Sequence, residues 1–286
     1  MSATAQKQQQ QAGTELLELW SVTELLKAVG ASRPIVEWHC EQTAIASLES
    51  RTVIDAMLKD GDSRDEVVKW IKGKRWSVSE RHKIRGTVVH KAAEAMALGR
   101  DPGVIDEQYR PYVEQLARWL DTWQPVFEMS EAPVFNRTEG YAGTLDGIMA
   151  LVDSLGETRR LIFDYKTTPK GPEAKSRPPY GEVSLQLAAY AHAEEVDLVR
   201  AAEASRDEDE WKRRYYTYDP TRTYEPMPQV DGGICIVVSP VDCFAQYVSV
   251  GDVPYRSFLH ARDFVFWNEK LWRNAFGQKL VAKAAT

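Results

Sequence analysis

The chain has 286 residues, of which 43% are hydrophobic and 27% charged, and its formal net charge is −6. That balance is enough for a sizeable core and argues against a protein that coats nucleic acid through a uniformly basic surface. No apolar run approaches the length of a membrane span, so no membrane partner is expected. Three scattered cysteines, Cys40, Cys235 and Cys243, are too few for a disulfide framework.

Residues 1–13 are polar and Gln-rich, without the apolar stretch of a secretion signal, and are expected to form a disordered tail. With the cysteine usage, this makes the cytoplasm the expected compartment. The remainder, 14–286, is expected to be one domain, with a helical N-terminal part over 14–128 and a sheet-containing core over 129–286.

The periodicity predicts a helix over 15–31, with Ser21-Val22-Thr23-Glu24 as a capping box and Arg33-Pro34 as its break. A second helix over 35–49 carries Trp38, Ala44, Ile45 and Leu48 on an apolar face. Residues 51–60 also read as helix, and Gly61-Asp62-Ser63 as a turn before a helical stretch over 64–72. The most basic segment follows: Gly73-Lys74-Arg75-Trp76-Ser77, then Arg81-His82-Lys83-Ile84-Arg85. It reads as a connection whose charges and Trp76 suit a phosphate backbone. A helix over 87–99 then carries His90 and Glu94, one turn apart and able to face one site. Residues 104–122 repeat a helical stripe through Tyr109, Tyr112, Leu116 and Trp119-Leu120 that reads as core.

The sheet is expected to begin near Met129, with a strand over 131–136 in which Pro133 favours an edge or a strand start. Strands over 141–152 and 160–167 follow, joined by the short turn 153–157 and therefore antiparallel. The first carries Asp146. The second carries Asp164 and Lys166, two residues apart and so on one face of an extended strand. A Pro- and Gly-rich loop over 168–181 bears Lys170, Lys175 and Arg177. A helix over 182–204 places Gln186 and Tyr190 on one face, and 206–210 is a solvated charge run. Residues 215–230 read as irregular. A hairpin over 233–239 and 244–250, then a helix over 254–279 with Phe258, Ala261, Val265 and Leu271-Trp272 on its apolar face, complete the chain.

An aspartate and a lysine side by side at the end of an apolar strand cost stability unless something uses them. The chemistry they suit is metal-assisted phosphodiester hydrolysis, in which hard divalent cations such as Mg²⁺ take carboxylate and carbonyl oxygens. By itself a D-x-K triplet is more often a buried ion pair.

The triplet has company. In order, the chain shows G-x-x-x-H at Gly86–His90, G-x-x-D at Gly143–Asp146, D-x-K at Asp164–Lys166 and Q-x-x-x-Y at Gln186–Tyr190. In this the sequence resembles the PD-(D/E)XK nuclease superfamily in its RecB-like exonuclease branch, over roughly residues 80–250. The resemblance implies an α/β nuclease core with a mixed central sheet and flanking helices. It implies Mg or Mn held by His90, Asp146, Asp164 and the Tyr165 carbonyl, with Lys166 positioning water. It further implies that Gln186 and Tyr190 contact the substrate strand or brace Lys166. Glu131 matches an acidic position often seen before the G-x-x-D strand, and Glu94 is a further supporting candidate. The activity implied is a metal-dependent DNA exonuclease of replication, recombination or repair, acting on single strands or duplex ends, with a helicase or recombination protein as a candidate partner. Lys74, Arg75, Trp76, Arg81, Arg85, Lys170, Lys175 and Arg177 are the candidate DNA contacts.

The rivals are an inactive nuclease fold serving as a binding or structural subunit, and an endonuclease. Intact Asp146, Asp164 and Lys166 speak against the first. Related CRISPR-adaptation nucleases carry an iron–sulfur cluster on four cysteines. Three dispersed cysteines do not supply them, so no such cluster is expected.

Overall fold

The computed structural model describes residues 15–28, 33–153, 155–168, 180–199 and 214–275. The expected N-terminal tail and the charge run over 206–210 fall outside them, as do Lys170, Lys175 and Arg177. The fold is α/β, built on a mixed sheet with helices on both faces.

Leu17–Ser21 form a strand, β1, where a helix was expected, and Val22–Ala28 form helix α1. The strand is decided by distant partners. It pairs antiparallel with β6, Tyr215–Tyr218, and parallel with two residues of β3, Tyr141–Val152. Both β1 and β6 lack a neighbour in sequence to pair with. This is why 215–218 reads as irregular by local pattern alone, and why the N-terminal part is not purely helical.

Helices α2, Arg33–Glu49, and α3, Arg51–Lys59, lie where expected. The apolar face assigned to α2 is not buried: Ala44, Ile45 and Leu48 are all exposed, and the Trp38 side chain lies outside the described residues. Helix α4 runs unbroken from Arg64 to Ala97, so the basic segment is helical and continuous with the His90 helix. Its start is fixed by a capping box. The Ser63 hydroxyl accepts from the Glu66 N–H at 3.3 Å, and the Ser63 N–H donates to the Glu66 carboxylate at 2.8 Å. No proline interrupts it, and Gly73 and Gly86 each cost only about 1 kcal/mol against alanine. A row of such residues weakens a helix without ending it.

Helix α5, Arg110–Trp123, buries Tyr112, Leu116 and Trp119 as its periodicity requires. The sheet core follows as β2, Val126–Asn136, then β3, then β4, Thr158–Thr167. Pro133 sits inside β2, which is interior rather than an edge: β3 flanks one side, and on the other β5, Glu195–Val196, pairs with Val134 and Phe135. Helix α6, Glu182–Ala191, is shorter than the expected 182–204. The Asn136 side-chain amide donates to the His192 carbonyl at 2.8 Å, and the Glu194 N–H donates to the Phe135 carbonyl at 2.9 Å. Capture of the chain by the β2 edge ends a helix that local propensity would extend.

Strands β7, Glu225–Pro226, β8, Gly232–Val238, and β9, Cys243–Val248, complete the sheet. Its order is β7-β5-β2-β3-β4-β8-β9, with β8 parallel to β4. Helix α7, Asp252–Phe266, buries Phe258, Ala261 and Val265, then widens into a π turn over Trp267–Leu271 and tightens to a 3₁₀ turn over Trp272–Ala275. Leu271 and Trp272, assigned to its apolar face, are exposed. One face of the sheet packs a core that includes Leu25, Leu187 and Phe258 from α1, α6 and α7. The other packs Val89, Ala93, Leu116 and Trp119 from α4 and α5.

Candidate functional site

The site lies where β3 and β4 part. Their ladder ends at Gly147 opposite Phe163, and β3 meets β1 only at Tyr141 and Ala142. Residues 143–146 therefore face an opening, and Asp146 stands at its mouth. The Asp146 carboxylate accepts the Tyr165 N–H at 2.7 Å, so a side chain takes over a backbone donor that the diverging strands leave free. Gly147 is required at the fork, since a Cβ there would collide with the Phe163 ring and the Met129 carbonyl.

Helix α4 delivers His90 into this opening. His90 Nε2 lies 3.1 Å from the Tyr165 carbonyl oxygen, which can only accept, so Nε2 carries a proton. Nδ1 faces the carboxylates, 3.5 Å from Asp146 and 3.7 Å from Glu131. These three side chains form a group whose ligand atoms all lie within 4.8 Å of one another. The Tyr165 carbonyl, expected among the metal ligands, here accepts from His90 Nε2, which leaves Nδ1 as the ring nitrogen that faces the carboxylates. Glu131, a supporting candidate in the sequence, is one of the three converging side chains. Its backbone is left-handed, with φ 51°, a conformation rare for a side chain of this kind. Glu94 is not a member of the group.

Asp164 is buried on the neighbouring strand, with its side chain 3% exposed. Lys166 Nζ donates to its Oδ1 at 2.7 Å and lies equally close to Oδ2, as two residues on one strand face should allow. Lys166 itself is 40% exposed, so its ammonium bridges the buried acid and the open side of the site. Gln186 and Tyr190 meet as expected of an i, i+4 pair, with the Gln186 amide 3.5 Å from the tyrosine hydroxyl. Tyr190 is 3% exposed, and its ring fills the space beside Gly143. It packs against β3 from within.

The electrostatics are those of a site with surplus acid. Burial pushes Asp146 and Asp164 above the usual carboxylate range. His90 and Lys166 pull Asp146 back, and Lys166 pulls Asp164 back. Burial disfavours the His90 cation, but Asp146 and Glu131 outweigh it and hold its pKa up to about 9. Likewise Asp164 and Asp146 outweigh burial at Lys166 and keep its ammonium above the ordinary lysine value. An imidazole and two carboxylates converging on one point could hold a divalent cation, which would have to displace a proton from His90.

Of the candidate DNA contacts, Lys74, Arg81 and Arg85 occupy positions i, i+7 and i+11 of α4, one stripe of a continuous helix. Lys74 and Arg81 are exposed and Arg85 is buried at the end of β4. The side chains of Arg75 and Trp76 lie outside the described residues. Among the described residues, no helix is long and apolar enough to cross a membrane. The chain matches no protein-family model and no curated protein.

Proposed function

We propose that the chain is a metal-dependent DNA exonuclease with a PD-(D/E)XK core of the RecB-like kind. The observation that carries this reading is the pairing of Asp164 with Lys166 beside the His90–Glu131–Asp146 group, at the fork of two antiparallel strands. A buried Asp–Lys pair alone is an ordinary structural device. Next to a converging imidazole and two more carboxylates, it becomes a hydrolytic site.

His90, Glu131 and Asp146 would hold Mg or Mn, with Asp164 completing the ligand set once Lys166 swings toward the substrate. Such an ion supplies Lewis-acid polarisation of the phosphate and a more acidic water. The residues do the rest. Lys166 keeps its proton, so it does not act as a general base. It orients the attacking water and stabilises negative charge as the phosphorane forms. The water oxygen bonds to phosphorus and gives its proton to bulk solvent, the P–O bond to the leaving sugar breaks, and the departing oxygen takes a proton back from solvent. The Tyr165 carbonyl fixes the imidazole, and Tyr190 holds β3 so that Asp146 stays in register.

The basic stripe of α4 supplies the path for the strand. A net charge of −6 together with such a stripe suits threading one strand from an end better than gripping a long duplex. Digestion of end-labelled single and double strands with Mg²⁺ or Mn²⁺ tests the reading. Release of nucleotides from an end, lost in Asp146→Ala and Asp164→Ala, supports it. No cleavage with either ion on any substrate refutes it.

A further inference from the structure

A second polar cluster sits at the end of β4, apart from the hydrolytic group. Arg85 is only 8% exposed and donates from Nε to the Thr167 hydroxyl at 3.2 Å. Its guanidinium lies 5.6 Å from the centre of the Tyr112 ring, and the Tyr112 hydroxyl donates to the Thr168 carbonyl at 3.2 Å. The Thr168 hydroxyl is buried and has no hydrogen-bond partner among the described residues. No carboxylate among the described residues pairs with Arg85; its polar neighbours are tyrosine, threonine and His82. A buried guanidinium without a counter-charge is costly, and an anion is what completes it.

The spacing says which anion. Arg85 precedes His90 by five residues, a rise of about 7.5 Å along a helix. On β4, Tyr165, whose carbonyl holds His90, and Thr167, which holds Arg85, are two residues apart, about 6.6 Å. The helix turns about 140° between Arg85 and His90, so it is the β4 register that places the second cluster one short step from the hydrolytic group, a step that successive phosphates of an extended strand can make. A guanidinium presents a planar fork to two phosphate oxygens, and the free Thr168 hydroxyl is a donor for another.

Resting on the nuclease reading, we infer that Arg85, backed by Tyr112 and Thr168, binds the phosphate one nucleotide from the one hydrolysed. It thereby positions the strand. Arg85 is a phosphate-holding residue and takes no part in bond breaking.

The test uses end-labelled oligonucleotides in which a single phosphate is replaced by a neutral methylphosphonate, scanned one position at a time from the end. In the wild-type protein, neutralising the phosphate adjacent to the scissile bond should lower kcat/KM by about 10- to 100-fold, as loss of a charge-assisted contact does. Arg85→Ala should show the same loss on unmodified DNA and no further loss on the neutralised substrate. Arg85→Lys should recover part of the activity, since it restores the charge without the fork. A merely structural arginine would leave the variant as sensitive to the methylphosphonate as the wild type, and that result overturns the inference. If Arg85→Ala does not fold, the scan on the wild type decides alone, and insensitivity at the adjacent phosphate overturns the inference. Lys166→Ala separates the two readings. If it is dead while the adjacent phosphate proves irrelevant, only this inference fails; if it cleaves normally, the nuclease reading fails first.

Discussion

The ring of Tyr190 occupies the space that a side chain at Gly143 would need. A Cβ at that glycine would come within 2.6 Å of the tyrosine ring, closer than carbon atoms pack. The first residue of G-x-x-D and the last of Q-x-x-x-Y thus form one contact, which presses α6 onto β3 three residues before Asp146. Gly143→Ala should destabilise the fold by about 1–3 kcal/mol through overpacking. Combined with Tyr190→Leu, which makes room for the added methyl, it should cost less than the sum of the single changes. Chemical denaturation of the four proteins measures this, and strict additivity would deny the contact.

Lys166→Ala should lower the cleavage rate by about 10²–10³-fold, the usual cost of removing one donor to a developing oxyanion. Its effect on DNA affinity should be small, since the lysine acts on the transition state. Single-turnover kinetics beside a binding isotherm separate the two. Normal cleavage by the variant would remove Lys166 from the site.

The proton on His90 makes the metal-free protein pH-sensitive in a definite direction. With a folded pKa of about 9 against an ordinary value near 6.5, the charged imidazole contributes its full stability below pH 6.5. That contribution, on the order of 1–3 kcal/mol, shrinks as pH rises and is gone above about 9. Metal binding runs the other way, because Nδ1 must lose the proton to ligate, so Mn²⁺ should bind more tightly as pH rises over the same window. Melting curves with chelator and with Mn²⁺ should show opposite slopes, both flattened in His90→Gln. Parallel slopes would place the metal elsewhere.

A covalently closed circular duplex should survive conditions that degrade its linear form. This rests on the proposed nuclease reading, in which the basic stripe of α4 guides a strand entering by its end. Gel analysis of both forms with Mn²⁺ decides it. Linearisation of the closed circle, lost in Lys166→Ala, would make the protein an endonuclease.

The purified protein should be colourless. Cys40, Cys235 and Cys243 stand on α2, β8 and β9, and burial pushes the Cys235 and Cys243 thiols up to about 12, far from the thiolates a cluster requires. Broad visible absorption that bleaches on oxidation would revive the iron–sulfur alternative.

What the sequence by itself determined is whatever rests on local pattern. Strands β3, β4, β8 and β9 follow from short apolar runs between turns. Helix α5 follows from its stripe of Tyr112, Leu116 and Trp119. The contact of Lys166 with Asp164 follows from the two-residue repeat of a strand. What only the tertiary structure decided depends on partners far along the chain. Strands β1 and β6 exist because Leu17 and Tyr218 meet across the whole domain. Helix α6 stops early because the edge of β2 captures Glu194. Glu131 enters the site because its backbone turns left-handed opposite Asp146, and the Tyr165 carbonyl turns to His90 because α4 crosses just there. No spacing of letters encodes a strand's departure from its neighbour. It is the parting of β3 from β4 that brings an imidazole and carboxylates from three separate elements to one point.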